Sequence, residues 1–235
     1  MMHRGQVELG IETKVRRMNG DDRKKQILRV AQHVFAEHNY HGATMAMIAQ
    51  AAGVTEPTIY LHFHGKKDLF IAVIEDCCWF EIESVKLAMD ATNSVLDAYR
   101  LIFEQLHHFT SKVNPDPAKI LIINKVVNDQ EIKAVVRRCN QELYTLVTEH
   151  IRREMEEGKI RNDVEPEVMA RIMVSTIREM ISMLIIESVD DFEKYFRKAG
   201  DYVAKLIGQR EENIRSAKEK RRTRHESSRP STTIG

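Results

Sequence analysis

Thr55, Glu56, Pro57, Thr58, Tyr60, His62, Lys66 and Lys67 fall within one short stretch of this 235-residue chain. Their side chains include hydroxyls, a carboxylate, a phenol, an imidazole and two ammoniums, groups that hydrogen-bond base edges and phosphate oxygens. The short and polar residues Thr55 to Thr58 stand at a helix start, the end that a recognition helix presents to base edges in a major groove. Tyr60 and His62 alternate with the apolar Ile59 and Phe63, so they point outward and can donate to phosphates. The lysines add charge attraction to the same backbone.

The flanking residues form the elements that would position this cluster. Thr44 can cap a helix whose apolar residues Met47, Ile48, Ala51 and Ala52 recur at helical spacing. Gly53 follows, where the chain needs a left-handed residue, and Val54 plugs the turn. Thr55 is the next cap, and Pro57 sits in a first turn that has no use for its missing N–H. Upstream, Ile27, Val30, Ala31, Val34 and Phe35 make one apolar stripe between Arg23 and His38. Two short helices joined by a turn of about four residues, backed by a third, are the outline of a helix-turn-helix. Helical hairpins around a Gly turn also occur in ordinary cores. That reading does not account for so many outward polar side chains around one helix start.

Over Arg23 to Asp76 the chain closely resembles the TetR family of bacterial transcriptional regulators. The matching segments are ILRVAQHVFAEHNYHGAT, IAQAAGV and TEPTIYLHFHGKKDLF. The resemblance implies that Thr44, Tyr60 and Lys66 hold phosphates, with His62 joining them, and that Thr55, Glu56, Pro57 and Thr58 meet bases. Glu56 is acidic where many relatives carry a neutral or basic residue. A carboxylate there either accepts from cytosine N4 or repels phosphate.

Charge is divided along the chain. Residues 1–67 hold ten Lys/Arg against six Asp/Glu, and residues 211–235 hold seven against four. Of the totals of 36 and 35, this leaves 19 against 25 for the body. A basic head on an acidic body suits a DNA reader whose bulk stays off the duplex. Lys14, Arg16 and Arg17 precede the first helix, close enough to reach DNA, whereas Lys218, Lys220, Arg221, Arg222 and Arg224 lie in a polar tail. No secretory h-region follows Met1, and no apolar run is long enough to span a bilayer. Cys77, Cys78 and Cys139 form no C-x-x-C pair. A reducing cytoplasm is expected, with no zinc site, disulfide framework or membrane partner.

From Lys66 onward the pattern is helical, with helices expected over 66–90, 94–111, 117–127, 130–156, 166–187 and 191–207. The fold class is therefore all-α. Expected domains are a disordered arm (1–18), a helix-turn-helix DNA-binding domain (19–67), a helical ligand-binding and dimerisation domain (68–210) and a disordered basic tail (211–235). The middle helices carry apolar faces interrupted by a few polar groups, the mixture a ligand pocket needs. Trp79, Tyr99, Phe103, His107, Asn124, Asn140 and Tyr144 are the candidate lining. Each polar one among them also reads as an ordinary cap, core or surface residue, and the pocket itself is what the family resemblance implies. His107 and His108 lack the i, i+4 spacing of a metal pair.

The stretch 166–187 is apolar on more than one side, with a second stripe through Ser175, Arg178 and Ser182. It reads either as a central core helix or as an interface. As an interface, Ser175, Arg178, Ile181 and Ser182 would pair with Phe192, Phe196 and Val203 of the last helix. The resemblance favours this, implying a homodimer through a four-helix bundle whose two-fold symmetry suits DNA half-sites. No catalytic fingerprint appears and no cofactor is expected. The function implied is a ligand-responsive regulator, a repressor released from a pseudo-palindromic, double-stranded operator by a small apolar or amphipathic effector. The competing reading is an architectural DNA binder that senses nothing.

Overall fold

The computed structural model describes residues 20–123, 127–186 and 192–208. The expected N-terminal arm, the basic tail and Asn124 lie outside the described residues. The order is α1 (Gly20–Gly42), α2 (Met45–Ala52), α3 (Glu56–Tyr60), α4 (Lys66–Ala91), α5 (Val95–His108), a π turn (Phe109–Val113), α6 (Asp116–Ile123), α7 (Gln130–Glu156), α8 (Pro166–Ile186) and α9 (Phe192–Ile207). Among the described residues the only β pairing is a single bridge between Ile160 and Gly208. The all-α expectation therefore holds.

Local chemistry sets the breaks. Asn39 takes a φ of 53° and kinks α1 near its end. Its side-chain oxygen accepts from the N–H groups of His41 and Gly42, which holds the turn. Thr44 caps α2 through the Met47 N–H at 3.2 Å, and Gly53 closes it at φ 63°. Asp129 caps α7 by accepting from Glu131 and Ile132. Gly158, at φ 72°, lets the chain leave α7. The helix expected over 94–111 splits into α5 and the π turn. There the Asn114 N–H reaches the Phe109 carbonyl, and Pro115 follows, where a helix cannot readily continue.

Two hydrophobic cores result, and α4 runs through both. Its first half (Leu69, Phe70, Val73, Ile74) packs with Ile27, Phe35, Ile48, Ile59 and Phe63 of the head. The same core takes in Ile120 of α6 and Ile132 and Val135 of α7, so it continues well past residue 67. A three-helix head alone would be marginal, and these later helices enlarge its core. The second half of α4 (Ile82, Val85, Ala88, Met89) packs with α5, α7, α8 and α9. No helix among the described residues is long and apolar enough to cross a membrane.

Candidate nucleic-acid interface and inner cavity

The head leaves the expected side chains at least partly accessible. Thr44, Thr55, Glu56 and Pro57 are exposed, Tyr60 is half exposed, and Thr58, His62 and Lys66 are partly covered. Ile59 and Phe63 are buried behind them, at 0% and 3% exposure, which fixes the outward face. Thr44 spends an oxygen lone pair on its cap and keeps its O–H to donate. Thr55 occupies the N-cap position of α3 but makes no side-chain cap bond. Its hydroxyl pairs with that of Thr58 at 2.9 Å. The two threonines thus hold each other in position at the tip.

The lysines differ from each other. Lys66 Nζ donates to the carbonyls of Ala43 (3.0 Å) and His41 (3.4 Å) and sits 4.9 Å over the Tyr40 ring. These carbonyls occupy two of its three donors and place the charge beside Thr44. Lys67, expected to attract phosphate, instead joins Glu131 at 2.7 Å and Asp129 at 3.6 Å. Its pKa is raised, first by the hydrogen bond to Glu131, and it ties the start of α4 to α7. Leu61, beside Tyr60, is 82% exposed. An apolar side chain held in water at a helix tip is the signal that singles it out.

Inside the body, a cavity lies between four elements. Cys77, Phe80 and Glu81 come from α4, and Phe109 and Thr110 from the π turn. Pro117, Ala118, Leu121 and Ile122 come from α6, and Ile177, Arg178 and Ile181 from α8. The space open to small groups is about 50 Å³, room for a few waters. At one wall, Arg178 Nε and Nη2 donate to the two Glu81 carboxylate oxygens at 2.8 and 2.6 Å, and Nη1 donates to Asn140 at 2.8 Å. Burial disfavours the Arg178 charge, but the bonds to and the charge of Glu81 more than offset this, so its pKa lies above the ordinary value. Burial pushes the Cys77 thiol up to about 12, so it stays neutral.

Among the described residues, none of those expected to bind ligand lines this cavity. Trp79 is 63% exposed on the outer side of α4, one residue and about 100° of helix turn from Phe80. Tyr99 is fully buried, its hydroxyl without a hydrogen-bond partner among the described residues. Phe103 and His107 stack on each other and line a separate groove of about 520 Å³ with Phe196, Arg100 and Arg197. Asn140 stands behind the cavity, holding Arg178. Tyr144 lies under Arg171, 4.6 Å from its guanidinium, at an outer polar groove.

The residues expected at a subunit interface also divide. Arg178 and Ile181 turn inward to the cavity, and Phe196 and Val203 are buried inside the protomer. Phe196 is there because it stacks on Tyr99 of α5. Ser175 is exposed, Ser182 is half-buried, and Phe192 opens α9. Among the described side chains, the large apolar groups these helices leave outward are Val168 and Ile172 on α8, and Tyr195, Tyr202 and Leu206 on α9. Arg178 and Ile181 thus face inward, while Ser175 on the same helix stays outward.

A three-helix head with a capped turn and an outward polar tip, set on a helical body, defines a helix-turn-helix protein. Residues 27–73 match the family model described as "Bacterial regulatory proteins, tetR family". Over these residues the chain is similar to the DNA-binding region of the TetR family. It is 28% identical over 136 residues to the HTH-type transcriptional activator FasR of Mycolicibacterium smegmatis, a match covering 56% of this chain and 62% of FasR. It is 26% identical over 161 residues to the HTH-type transcriptional repressor AcnR of Corynebacterium efficiens, covering 68% and 81%. These relatives are transcriptional regulators, not enzymes. The fold also matches SmeT of Stenotrophomonas maltophilia in its triclosan complex. That match has a TM-score of 0.69 at 18% identity, covering 80% of this chain and 92% of SmeT.

Proposed function

We propose that the chain is a cytoplasmic, dimeric repressor that leaves a pseudo-palindromic operator when a small apolar or amphipathic ligand enters the inner cavity. The observation that carries this is the double role of α6. One side of α6 is fastened to the head: Asp116 meets His33 of α1 at 2.9 Å, Lys119 meets Glu37 at 2.6 Å, and Ile120 is fully buried in the head's core. The other side, Pro117, Ala118, Leu121 and Ile122, walls the cavity. A cavity of about 50 Å³ cannot take a ligand of several carbons without moving a wall. α6 is only eight residues long, and pushing it away from α8 loads its contacts with α1. α4 carries the same displacement, because it runs from the head into the cavity wall.

In this reading Thr44, Tyr60, His62 and Lys66 hold phosphates, and Thr55, Glu56, Pro57, Thr58 and Leu61 face bases. Two heads joined by a dimer must reach two half-sites together. A small change in their spacing therefore costs much of the joint affinity. SmeT, solved as a triclosan complex, supports a small-molecule ligand for such a fold, and AcnR, named a repressor, supports the sign. The outward apolar groups of α8 and α9 are the proposed pairing face.

The test is selection of duplexes from a random pool, followed by anisotropy titrations with a panel of uncharged apolar compounds, triclosan included. The reading predicts a two-fold sequence preference, weakened by at least one compound and by the cavity-filling Ala118→Trp. Absence of sequence preference defeats it. A sequence preference indifferent to every compound and to Ala118→Trp favours the architectural binder instead.

A further inference from the structure

We infer that the inner cavity selects an uncharged ligand: a chain or ring system of hydrocarbon carrying one neutral hydrogen-bonding head that docks at Glu81 and Arg178. The inference rests on the reading of this cavity as the effector site and says which chemistry it accepts. The charged groups facing the cavity among the described residues are Glu81 and Arg178. Their side chains are only 11% and 19% exposed, and they already neutralise each other through two short hydrogen bonds.

A ligand carboxylate entering here would meet no unmatched cation among the described residues. It would instead lie beside the Glu81 carboxylate in a wall made otherwise of Phe, Leu, Ile, Ala and Pro, a neutral Cys77 and the Thr110 hydroxyl, none of which carries a counter-charge. A ligand cation would meet the mirror problem at Arg178. A buried charge without its own counter-charge is strongly disfavoured. A neutral head has a place. The described hydrogen bonds of Arg178 use three of its five N–H groups, so a ligand hydroxyl or carbonyl oxygen can accept from one that remains. A ligand O–H can equally donate to a lone pair of Glu81. Asn140 keeps the guanidinium in place from behind, so the docking group is rigid before the ligand arrives.

The test compares 1-decanol, decanoate and decyltrimethylammonium, equal in chain length, on the full chain at a pH well above the carboxylate range. Binding is read by calorimetry and by the fluorescence of Trp79, the single tryptophan, which sits on α4 beside Phe80. The expected order is decanol tightest, with both ions weaker by about tenfold or more. Glu81→Gln frees the Arg178 charge, and the preference between the two ligands should then shift about tenfold toward decanoate relative to wild type. A second measurement needs no variant: decanoic acid should bind wild-type protein more tightly as pH falls and the acid becomes neutral. Decanoate or the ammonium matching or exceeding decanol overturns the neutral-ligand inference while leaving an effector cavity in place. No binding of any of the three, with wild type and Ala118→Trp alike, overturns the cavity reading itself.

Discussion

The head and the cavity put comparable chemistry to opposite uses. At the tip of α3, Thr55, Glu56, Thr58 and Tyr60 are held outward on five consecutive helical residues and their cap. In the body, Glu81 and Arg178 are 97 residues apart in sequence and meet at the wall of the inner cavity. The first site is made by local rules of capping and periodicity. The second exists only after α4, α6 and α8 have packed. An exposed polar cluster has water to satisfy it until its partner arrives, whereas a buried one must satisfy itself. This is why the inner pair is fully matched and the outer tip is not.

The largest effect should come from confusing the inner and outer faces of α8 and α9. Ile181→Asp places an unpaired charge in the body's core, where Ile181 is 6% exposed. It should cost about 3–5 kcal/mol or prevent folding, read by urea unfolding. Tyr202→Asp, at a position 66% exposed, should leave the protomer's unfolding midpoint nearly unchanged and give a monomer by light scattering. If the two variants exchange phenotypes, the inward placement of Ile181 is mistaken.

Next in size is the buried ion pair. Arg178→Met strands Glu81 and should cost about 3 kcal/mol. The double variant Glu81→Leu with Arg178→Met should recover most of that, because two matched apolar groups replace a matched pair. Chemical denaturation of the three proteins checks the order. A double variant as unstable as the single would mean that Asn140 or a neighbour needs the charge.

Smaller effects belong to the head and divide by role. Tyr60→Ala should weaken selected and scrambled duplexes alike and lower the slope of log affinity against log salt by about one. Thr58→Ala should change the preferred base and cost about 1–3 kcal/mol on the selected duplex alone. Loss of only specific binding in the Tyr60 variant would exchange the two assignments. The smallest is Gly53→Ala. No atom lies within 4 Å of the added methyl, yet φ stays at 63°. The cost, about 1 kcal/mol, is therefore conformational alone and should appear as a modest drop in Tm with unchanged DNA preference.

The head was legible in the sequence because each of its parts is announced within a few residues. Thr44, Gly53 and Pro57 mark the ends of α2 and α3, and the spacing of Ile59 and Phe63 assigns the faces. Helix positions in the body were legible for the same reason, from signals such as Gly158 and Pro166. Contacts between helices were not. Trp79 and Phe80 are equally aromatic, and only the rotation of α4 sends one to water and the other to the cavity. Arg178 on an apolar helix was open to two readings, interface or interior, and nothing nearby in sequence names Glu81 as its partner. Lys67 looked like a phosphate contact until the fold brought Glu131 beside it.

The account turns on α6 passing movement from the cavity to α1. It is tested by joining the two helices with a short bifunctional maleimide across Glu37→Cys and Lys119→Cys, whose native side chains meet at 2.6 Å. The native cysteines are all buried and should react far more slowly. Anisotropy of a selected, labelled duplex would then be followed as 1-decanol is added to the joined and unjoined proteins, with Trp79 fluorescence monitoring occupancy. The account predicts that the joined protein still takes up decanol but keeps its duplex, while the unjoined one releases it. Equal release from both, at equal occupancy, would show that the signal does not travel through α6.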